Sequence, residues 1–67
     1  MLKKRSFTLS GHRTSVALEA EFWAVIDRSA QHEGKALAAL VAQIDASRGE
    51  RPLASALRLF ALAAKDR

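Results

Sequence analysis

Residues 12–18 alternate in character as a β-strand does, and this short segment constrains the fold more than any other. Successive strand side chains point to opposite faces, so one face is apolar, with Val16 and Leu18. The other face carries Arg13, Ser15 and Ala17. A lone strand leaves its amide and carbonyl groups without ladder partners, so this segment must pair with another strand.

The partner of this strand decides the architecture. Residues 7–9 also alternate, but they are few, and Gly11 separates them from the strand. The simplest partner is therefore the same strand of a second subunit, related by a two-fold axis. This pairing predicts an antiparallel two-stranded ribbon whose polar face is exposed.

Three segments with helical spacing follow the strand. Gly34 and Gly49 end the first two, and Pro52 stands in the first turn of the third. The predicted elements of this single domain are a basic arm at 1–11, a strand at 12–18 and helices at 19–33, 35–48 and 52–65. The apolar positions predict a core and dimer interface made of Val16, Leu18, Phe22, Trp23, Ile26, Leu40, Val41, Ile44 and Phe60.

The chain has few means of stabilising a monomer. It has 67 residues, contains no cysteine, and shows no Cys/His cluster that would hold a structural zinc. Hydrophobic residues nevertheless make up 49% of it, and Leu59 and Leu62 widen the apolar face of the third helix. Burial against another chain explains this excess most simply, so we expect a homodimer.

Charge is distributed unevenly. Lysine and arginine number 11 against 7 acidic residues, for a net charge of +4, and all the acidic residues lie from Glu19 onward. The basic N-terminal end is typical of a protein that binds a polyanion, although a solvated tail has the same composition. Lys3, Lys4 and Arg5 are the candidates for neutralising phosphates.

Several functional classes find little support. The N-terminus is not followed by the apolar run of a secretory signal, and charged residues interrupt the most apolar segment, so we expect a cytoplasmic protein without a membrane span. No nucleophile, phosphate loop or metal-ligand spacing is recognisable. We therefore expect no enzyme activity, no cofactor and no metal.

Specific residue blocks resemble a known family. The most distinctive are Gly11-His12-Arg13-Thr14-Ser15 and Phe22-Trp23, accompanied by Lys4-Arg5-Ser6, Ile44-Asp45, Arg48 and Ser55-Ala56-Leu57-Arg58. The sequence looks like the short bacterial ribbon-helix-helix domains, which are related more distantly to the Arc and methionine repressors. The resemblance covers nearly the whole chain. It implies a mainly α fold with one β-strand, formed as an intertwined homodimer, plus a third C-terminal helix.

The resemblance also implies a DNA-binding site. Arg13, Ser15 and Ala17 would contact bases, and the turn containing Lys35 and Ala36 would hold a phosphate. Two departures weaken this assignment: Ala17 offers at most a methyl contact to thymine, and Ala36 lacks the polar side chain of an N-cap.

Two functional hypotheses remain open. The first is a homodimeric transcriptional regulator that reads double-stranded DNA, whose dimers could pair into tetramers on longer sites. The second is a protein-interaction module, such as an antitoxin-like or adaptor dimer, that uses its apolar third helix. A membrane-surface helix explains less, because it leaves the strand alternation without a role.

Overall fold

A computed structural model describes residues 1–65. The elements in chain order are β1 (Leu2–Leu9), β2 (His12–Glu19), α1 (Ala20–His32), α2 (Leu37–Ser47) and α3 (Leu53–Lys65). The predicted fold class is confirmed, since a two-stranded antiparallel ribbon is followed by two helices and a further C-terminal helix. Each helix begins one or two residues after the position expected from the sequence.

The origin of the ribbon differs from the expectation. We expected one strand per chain and a partner strand from a second subunit, with residues 1–11 as an arm. Instead β1 pairs with β2 of the same chain, from Leu2 opposite Glu19 to Leu9 opposite His12. The single strand of the sequence analysis is therefore corrected to a hairpin. The consecutive cations Lys3, Lys4 and Arg5 had concealed the alternation of β1.

A two-residue turn makes this intrachain pairing possible. Ser10 and Gly11 both have positive φ, 52° and 81°, as the type I′ turn requires. The backbone twist of such a turn matches the twist of the flanking strands, so the chain reverses without splaying them. Gly11 accepts this conformation without the steric cost that a Cβ atom brings.

One face of the hairpin covers the helices. Phe7 and Leu9 of β1 and Val16 and Leu18 of β2 are buried there. The helices contribute the remaining buried apolar side chains: Trp23, Ile26, Ala30, Leu40, Val41, Ile44, Leu53, Leu57 and Ala61. A single chain thus forms a continuous hydrophobic core, and among the described residues no buried side-chain polar atom lacks a partner.

The third helix completes this core. α3 packs against α1, α2 and β2, with Leu53, Leu57 and Ala61 directed inward at four-residue steps. Arg58 reaches back across the core edge, where its Nε atom donates to Glu19 Oε1 at 3.1 Å. Of the helices in residues 1–65, none is long and apolar enough to cross a membrane.

Candidate nucleic-acid interface

The hairpin face turned away from the helices is here called the outer face. Its six central positions are occupied by small, polar or basic side chains: Lys4, Ser6, Thr8, Arg13, Ser15 and Ala17. Ala17 is partly buried and the other five are exposed. The alternation expected for Arg13, Ser15 and Ala17 is therefore present, and β1 adds three positions beside them.

The outer-face residues lie opposite one another in pairs. Ser6 faces Ser15, and their hydroxyl oxygens share a hydrogen bond of 2.9 Å. Thr8 faces Arg13, whose guanidinium donates a long bond of 3.4 Å to the threonine hydroxyl. The guanidinium of Arg13 stays exposed, so most of its five N–H donors remain available to a ligand.

The electrostatics of the outer face favour an anion. Its six central positions carry two cations, Lys4 and Arg13, and no acidic residue. Glu19 lies at the open end of the hairpin, where it accepts a hydrogen bond from Arg58. A hydrogen bond from its own backbone amide and the bond from Arg58 lower the pKa of Glu19 below its ordinary value.

Arg5 is not where the sequence analysis expected it. Instead of projecting from a free basic arm, it lies on the hairpin face that packs against the helices. Its two terminal nitrogens donate to the carboxylate of Asp27 at 2.9 and 3.2 Å, and its guanidinium carbon is 4.7 Å from the ring centre of Trp23. Successive side chains of a strand point to opposite faces, so Arg5 faces α1 whereas its neighbour Lys4 faces outward.

The backbone carbonyl of Lys3 supports the core, whereas its side chain is exposed. Its backbone carbonyl accepts a hydrogen bond of 2.7 Å from Trp23 Nε1, which satisfies the indole N–H inside the core. Its side chain is exposed, and strand alternation places it on the same face of β1 as Arg5. Trp23 itself is only 1% exposed, so it is unavailable for stacking on a nucleobase.

The turn before α2 contains the other expected phosphate contact. Ala36 is the N-cap residue of α2 and provides no side-chain capping bond, so the first backbone amides of the helix have no side-chain partner. Lys35 is partly neutralised, because its ammonium group lies 3.1 Å from a carboxylate oxygen of Glu33 and also donates to Gln43. At this turn, the backbone N–H groups are therefore more available to bind an anion than the ammonium group of Lys35.

The residues expected to form the core and dimer interface lie mostly inside one chain. Phe22 and Phe60 are partly exposed, and the other seven are buried: Val16, Leu18, Trp23, Ile26, Leu40, Val41 and Ile44. These seven have little surface left to offer a second subunit. In the described part of the chain, no group of three or more His, Asp or Glu side chains could hold a metal ion.

Two residues of the outer face were not predicted from the sequence. Ser6 and Thr8 were assigned to the arm, yet they stand beside Ser15 and Arg13. A signal for them was present, because polar residues at positions 4, 6 and 8 alternate with Phe7 and Leu9. Its period becomes visible only when residues 2–9 are treated as one strand.

Comparison with known proteins assigns the chain to a family. A search of curated proteins and a search of solved structures each found no match. A scan against protein-family models matched the ribbon-helix-helix domain over residues 2–64. Domains of this type generally bind DNA as transcriptional regulators. Since the match spans the hairpin and nearly all of the three helices, the chain belongs to the ribbon-helix-helix domain family.

Proposed function

We propose that this protein binds double-stranded DNA through the outer face of its hairpin and regulates transcription in the bacterial cytoplasm. The observation that carries the proposal is the outer face itself, an exposed antiparallel ribbon with two cations, three hydroxyls and no acidic residue at its six central positions. These six positions differ from an ordinary solvated surface in carrying one sign of charge.

The dimensions of the hairpin suit the major groove. Adjacent strands lie about 4.8 Å apart, whereas the major groove of B-DNA is about 12 Å wide and admits a two-stranded ribbon. The helices lie behind the opposite face of the hairpin, so they do not obstruct its approach to the groove. One chain therefore supplies a ribbon of the required width.

The outer-face side chains have distinct proposed roles. Arg13 donates two hydrogen bonds to a guanine edge, the commonest specific contact in the major groove. Ser15 bonds to a neighbouring base, and Ala17 packs on a thymine methyl group. Lys4 lies opposite Ala17 and neutralises a phosphate, which raises affinity for all sequences alike.

Further phosphate contacts flank the ribbon. The exposed side chain of Lys3 and the backbone amides after Ala36 are the proposed anchors, and Lys35 contributes the charge that Glu33 does not neutralise. Arg5 is omitted from this set, because its guanidinium is already held by Asp27 and Trp23.

The first experiment is selection of bound sequences from a random duplex library by wild type and by Arg13→Ala. We expect an enriched motif for wild type, and we expect Arg13→Ala to lose preference at one base pair, at a cost of about 1–3 kcal/mol. Arg28→Ala is the matched control, since it removes one exposed arginine from α1 and leaves the outer face intact.

Each outcome bears on the proposal. A motif that is unchanged in Arg28→Ala and loses its preference at one base pair in Arg13→Ala supports base recognition by the hairpin. Equal loss in the two variants would show that arginine charge alone drives binding, and the proposed base contact would be wrong. Absence of DNA binding by the wild type would overturn the function.

One observation favours a second function, that of a protein-interaction module. Leu59 and Leu62 on α3 are 45% and 50% exposed in the single chain, so this helix offers an apolar surface to another protein. The two functions are compatible, because the outer face of the hairpin and the exposed side of α3 do not overlap.

A further inference from the structure

The two strands of the hairpin present different side chains on the outer face. Their register forms three cross-strand pairs: Thr8 with Arg13 near the turn, Ser6 with Ser15 at the centre, and Lys4 with Ala17 near the open end. A ribbon made of two copies of one strand would instead repeat each side chain at both ends. The outer face therefore has a direction, which runs from the turn to the open end.

The spacing of these pairs suits successive base pairs of DNA. Neighbouring pairs are two residues apart, which is about 6.8 Å along an antiparallel strand. Base pairs of B-DNA follow one another at about 3.4 Å, so neighbouring side-chain pairs lie about two base pairs apart. The whole set thus reaches over about five base pairs, and each side-chain pair meets a different part of the site.

Near the turn, Thr8 holds the guanidinium of Arg13. Nη1 of Arg13 donates to Thr8 Oγ1 at 3.4 Å, and both residues are exposed. This bond occupies one N–H donor of the guanidinium, so enough donors remain for the two acceptors of a guanine edge, N7 and O6. A long side chain loses rotamer freedom when it binds, and a neighbour that holds it beforehand lowers this cost.

At the centre, the hydroxyl groups of Ser6 and Ser15 share a hydrogen bond of 2.9 Å. Each hydroxyl has one proton to donate and two lone pairs, so the bonded pair keeps a single proton for a ligand. An adenine edge presents one acceptor, N7, and one donor, the N6 amino group, which match this pair. A guanine edge presents two acceptors, so both protons would be needed and the bond between the serines would break.

Near the open end, the outer face offers different contacts. Ala17 ends in a methyl group, which suits the C5-methyl of thymine. Its partner Lys4 is an exposed cation without the planar fork of arginine. Glu19 follows at the end of β2, so a carboxylate and not a second arginine stands beyond Ala17. The two ends of the ribbon therefore accept different bases.

We propose that each hairpin reads a directional, non-palindromic DNA site of about five base pairs. In this site Thr8 positions Arg13 on a guanine at the turn end. The hydroxyl groups of Ser6 and Ser15 select adenine over guanine at the centre. Thr8 is a positioning residue, because it acts through Arg13. The proposed function supplies the DNA on which this inference rests, and the unlike strands add the order of its bases.

A purely structural role is the alternative for these hydroxyl groups. Cross-strand polar pairs stabilise a ribbon modestly, whether or not the ribbon binds a ligand. Removing a hydroxyl with that role alone would change the free energy of unfolding and leave the base preference unchanged. Base preference is therefore the measurement that separates the two roles.

The test is selection of bound sequences from a random duplex library, compared between wild type and variants. We expect wild type to enrich guanine at one end of the site, with adenine about two base pairs inward. Arg13→Ala should lose preference at that single guanine, by about 5- to 150-fold. A ribbon with two copies of β2 would carry Arg13 at both ends. Loss at two symmetric positions within one site would therefore overturn the proposal.

Two variants of Thr8 test its positioning role. Thr8→Val keeps the branched side chain that favours a strand and removes the hydroxyl, so the preference for guanine should fall about two- to fivefold. Thr8→Ser keeps the hydroxyl and should retain the preference. Thr14→Val is the matched control, because it removes a threonine hydroxyl from the opposite face of the hairpin. The same guanine preference in Thr8→Val and wild type would overturn the positioning role.

Ser6→Ala tests the central pair. This variant leaves Ser15 without its bonded neighbour, so a guanine no longer breaks a bond between serines. We expect the preference for adenine over guanine at the centre to fall about two- to fivefold. An unchanged central preference would show that the serine pair does not select adenine.

The direction of binding is measured with a DNA-cutting iron chelate attached to the hairpin. The chain contains no cysteine, so His12→Cys provides one attachment site near the turn and Leu2→Cys provides one at the open end. Both positions are exposed. On a duplex with one site, the two variants should cut on opposite sides, with His12→Cys on the guanine side. Equal cutting on both sides by each variant would contradict a directional site.

Three outcomes separate the order of bases from DNA binding itself. A wild type that enriches a palindrome within five base pairs, or that binds duplex without sequence preference, would overturn the directional site and leave DNA binding standing. A wild type that binds no duplex would overturn both. Circular dichroism of each variant shows that it is folded, so that a changed preference reports on contacts with DNA.

Discussion

At the scale of single residues, the neighbouring cations Lys4 and Arg5 lie on opposite faces of β1 and have different surroundings. Lys4 is exposed on the outer face, whereas the neighbouring Arg5 is fixed by Asp27 and Trp23. Composition treats these residues as equivalent, but strand alternation places them on opposite sides of the hairpin. Only Lys4 of the pair is in a position to approach DNA that lies on the outer face.

This division predicts that Arg5 contributes to stability. The pair is partly exposed, at 38% and 41%, so the ion pair is worth at most about 1 kcal/mol, and stacking on Trp23 adds about 0.5–1 kcal/mol. Urea denaturation should show a larger loss for Arg5→Ala than for Asp27→Ala. A double-mutant cycle isolates the coupling of the pair.

Affinity for DNA provides the control for this assignment. We expect Arg5→Ala to bind duplex nearly as well as wild type at temperatures where both are folded. A loss as large as that of Lys4→Ala, with no loss of stability, would mean that Arg5 contacts a phosphate after all.

At the scale of elements, the turn between β1 and β2 decides that the ribbon forms within one chain. Ser10 occupies a left-handed conformation, φ 52°, which is uncommon for a residue with a side chain. Gly11 follows it at φ 81°. Two residues with positive φ are the requirement of a type I′ turn, and they fix the register of all eight residue pairs.

Two substitutions in the turn are expected to change the free energy of unfolding in opposite directions. Gly11→Ala should lower the free energy of unfolding by about 1 kcal/mol, because a Cβ atom is strained at this φ. Nothing lies within 4 Å of that position, so the cost is backbone strain and not a clash. Ser10→Asn should raise stability slightly, since Asn-Gly is the preferred type I′ pair.

Urea denaturation measures both effects. If Gly11→Ala and Ser10→Asn each leave the free energy of unfolding unchanged, Ser10 and Gly11 do not form a type I′ turn. A stabilising effect of Gly11→Ala would likewise contradict it.

At the scale of the whole molecule, contacts distant in sequence bind α3 to the hairpin. Arg58 of α3 bonds to Glu19, which ends β2, and its guanidinium lies 6.0 Å from the ring centre of Phe22. The junction between hairpin and helices is therefore held from three elements. α3 belongs to the fold and is more than a surface for partners.

The junction predicts a dependence of stability on pH. The pKa of Glu19 is lowered in the folded protein by its own backbone amide and by Arg58, so the unfolded chain binds a proton more readily. The stabilisation is present above the ordinary value of 4.5 and is lost as pH falls through the lower folded pKa. Urea denaturation across this pH range should show that the free energy of unfolding falls less steeply with decreasing pH for Glu19→Gln than for wild type.

Arg58→Gln serves as the matched comparison. It removes the second cause of the pKa shift and keeps the first, so part of the acid-induced loss should persist. A curve identical to that of wild type would show that the bond between Arg58 and Glu19 does not stabilise the protein.

Sequence alone determined the order of the helices, their apolar faces and the exposure of Arg13 and Ser15. These features depend on local periodicity, and Gly34, Gly49 and Pro52 mark the boundaries. The family assignment made from the sequence was also confirmed, by the match to the ribbon-helix-helix domain over residues 2–64.

Only the tertiary structure decided which strand partners β2 and where the two faces of β1 lie. A strand can pair with its own chain or with a copy at little difference in local preference, so periodicity cannot choose between them. The choice depends on two backbone angles at Ser10 and Gly11 and on a core that one chain closes with α3. The same packing of the hairpin on the helices places Arg5 beside Asp27. It leaves Leu59 and Leu62 exposed, because a small core cannot bury every apolar side chain.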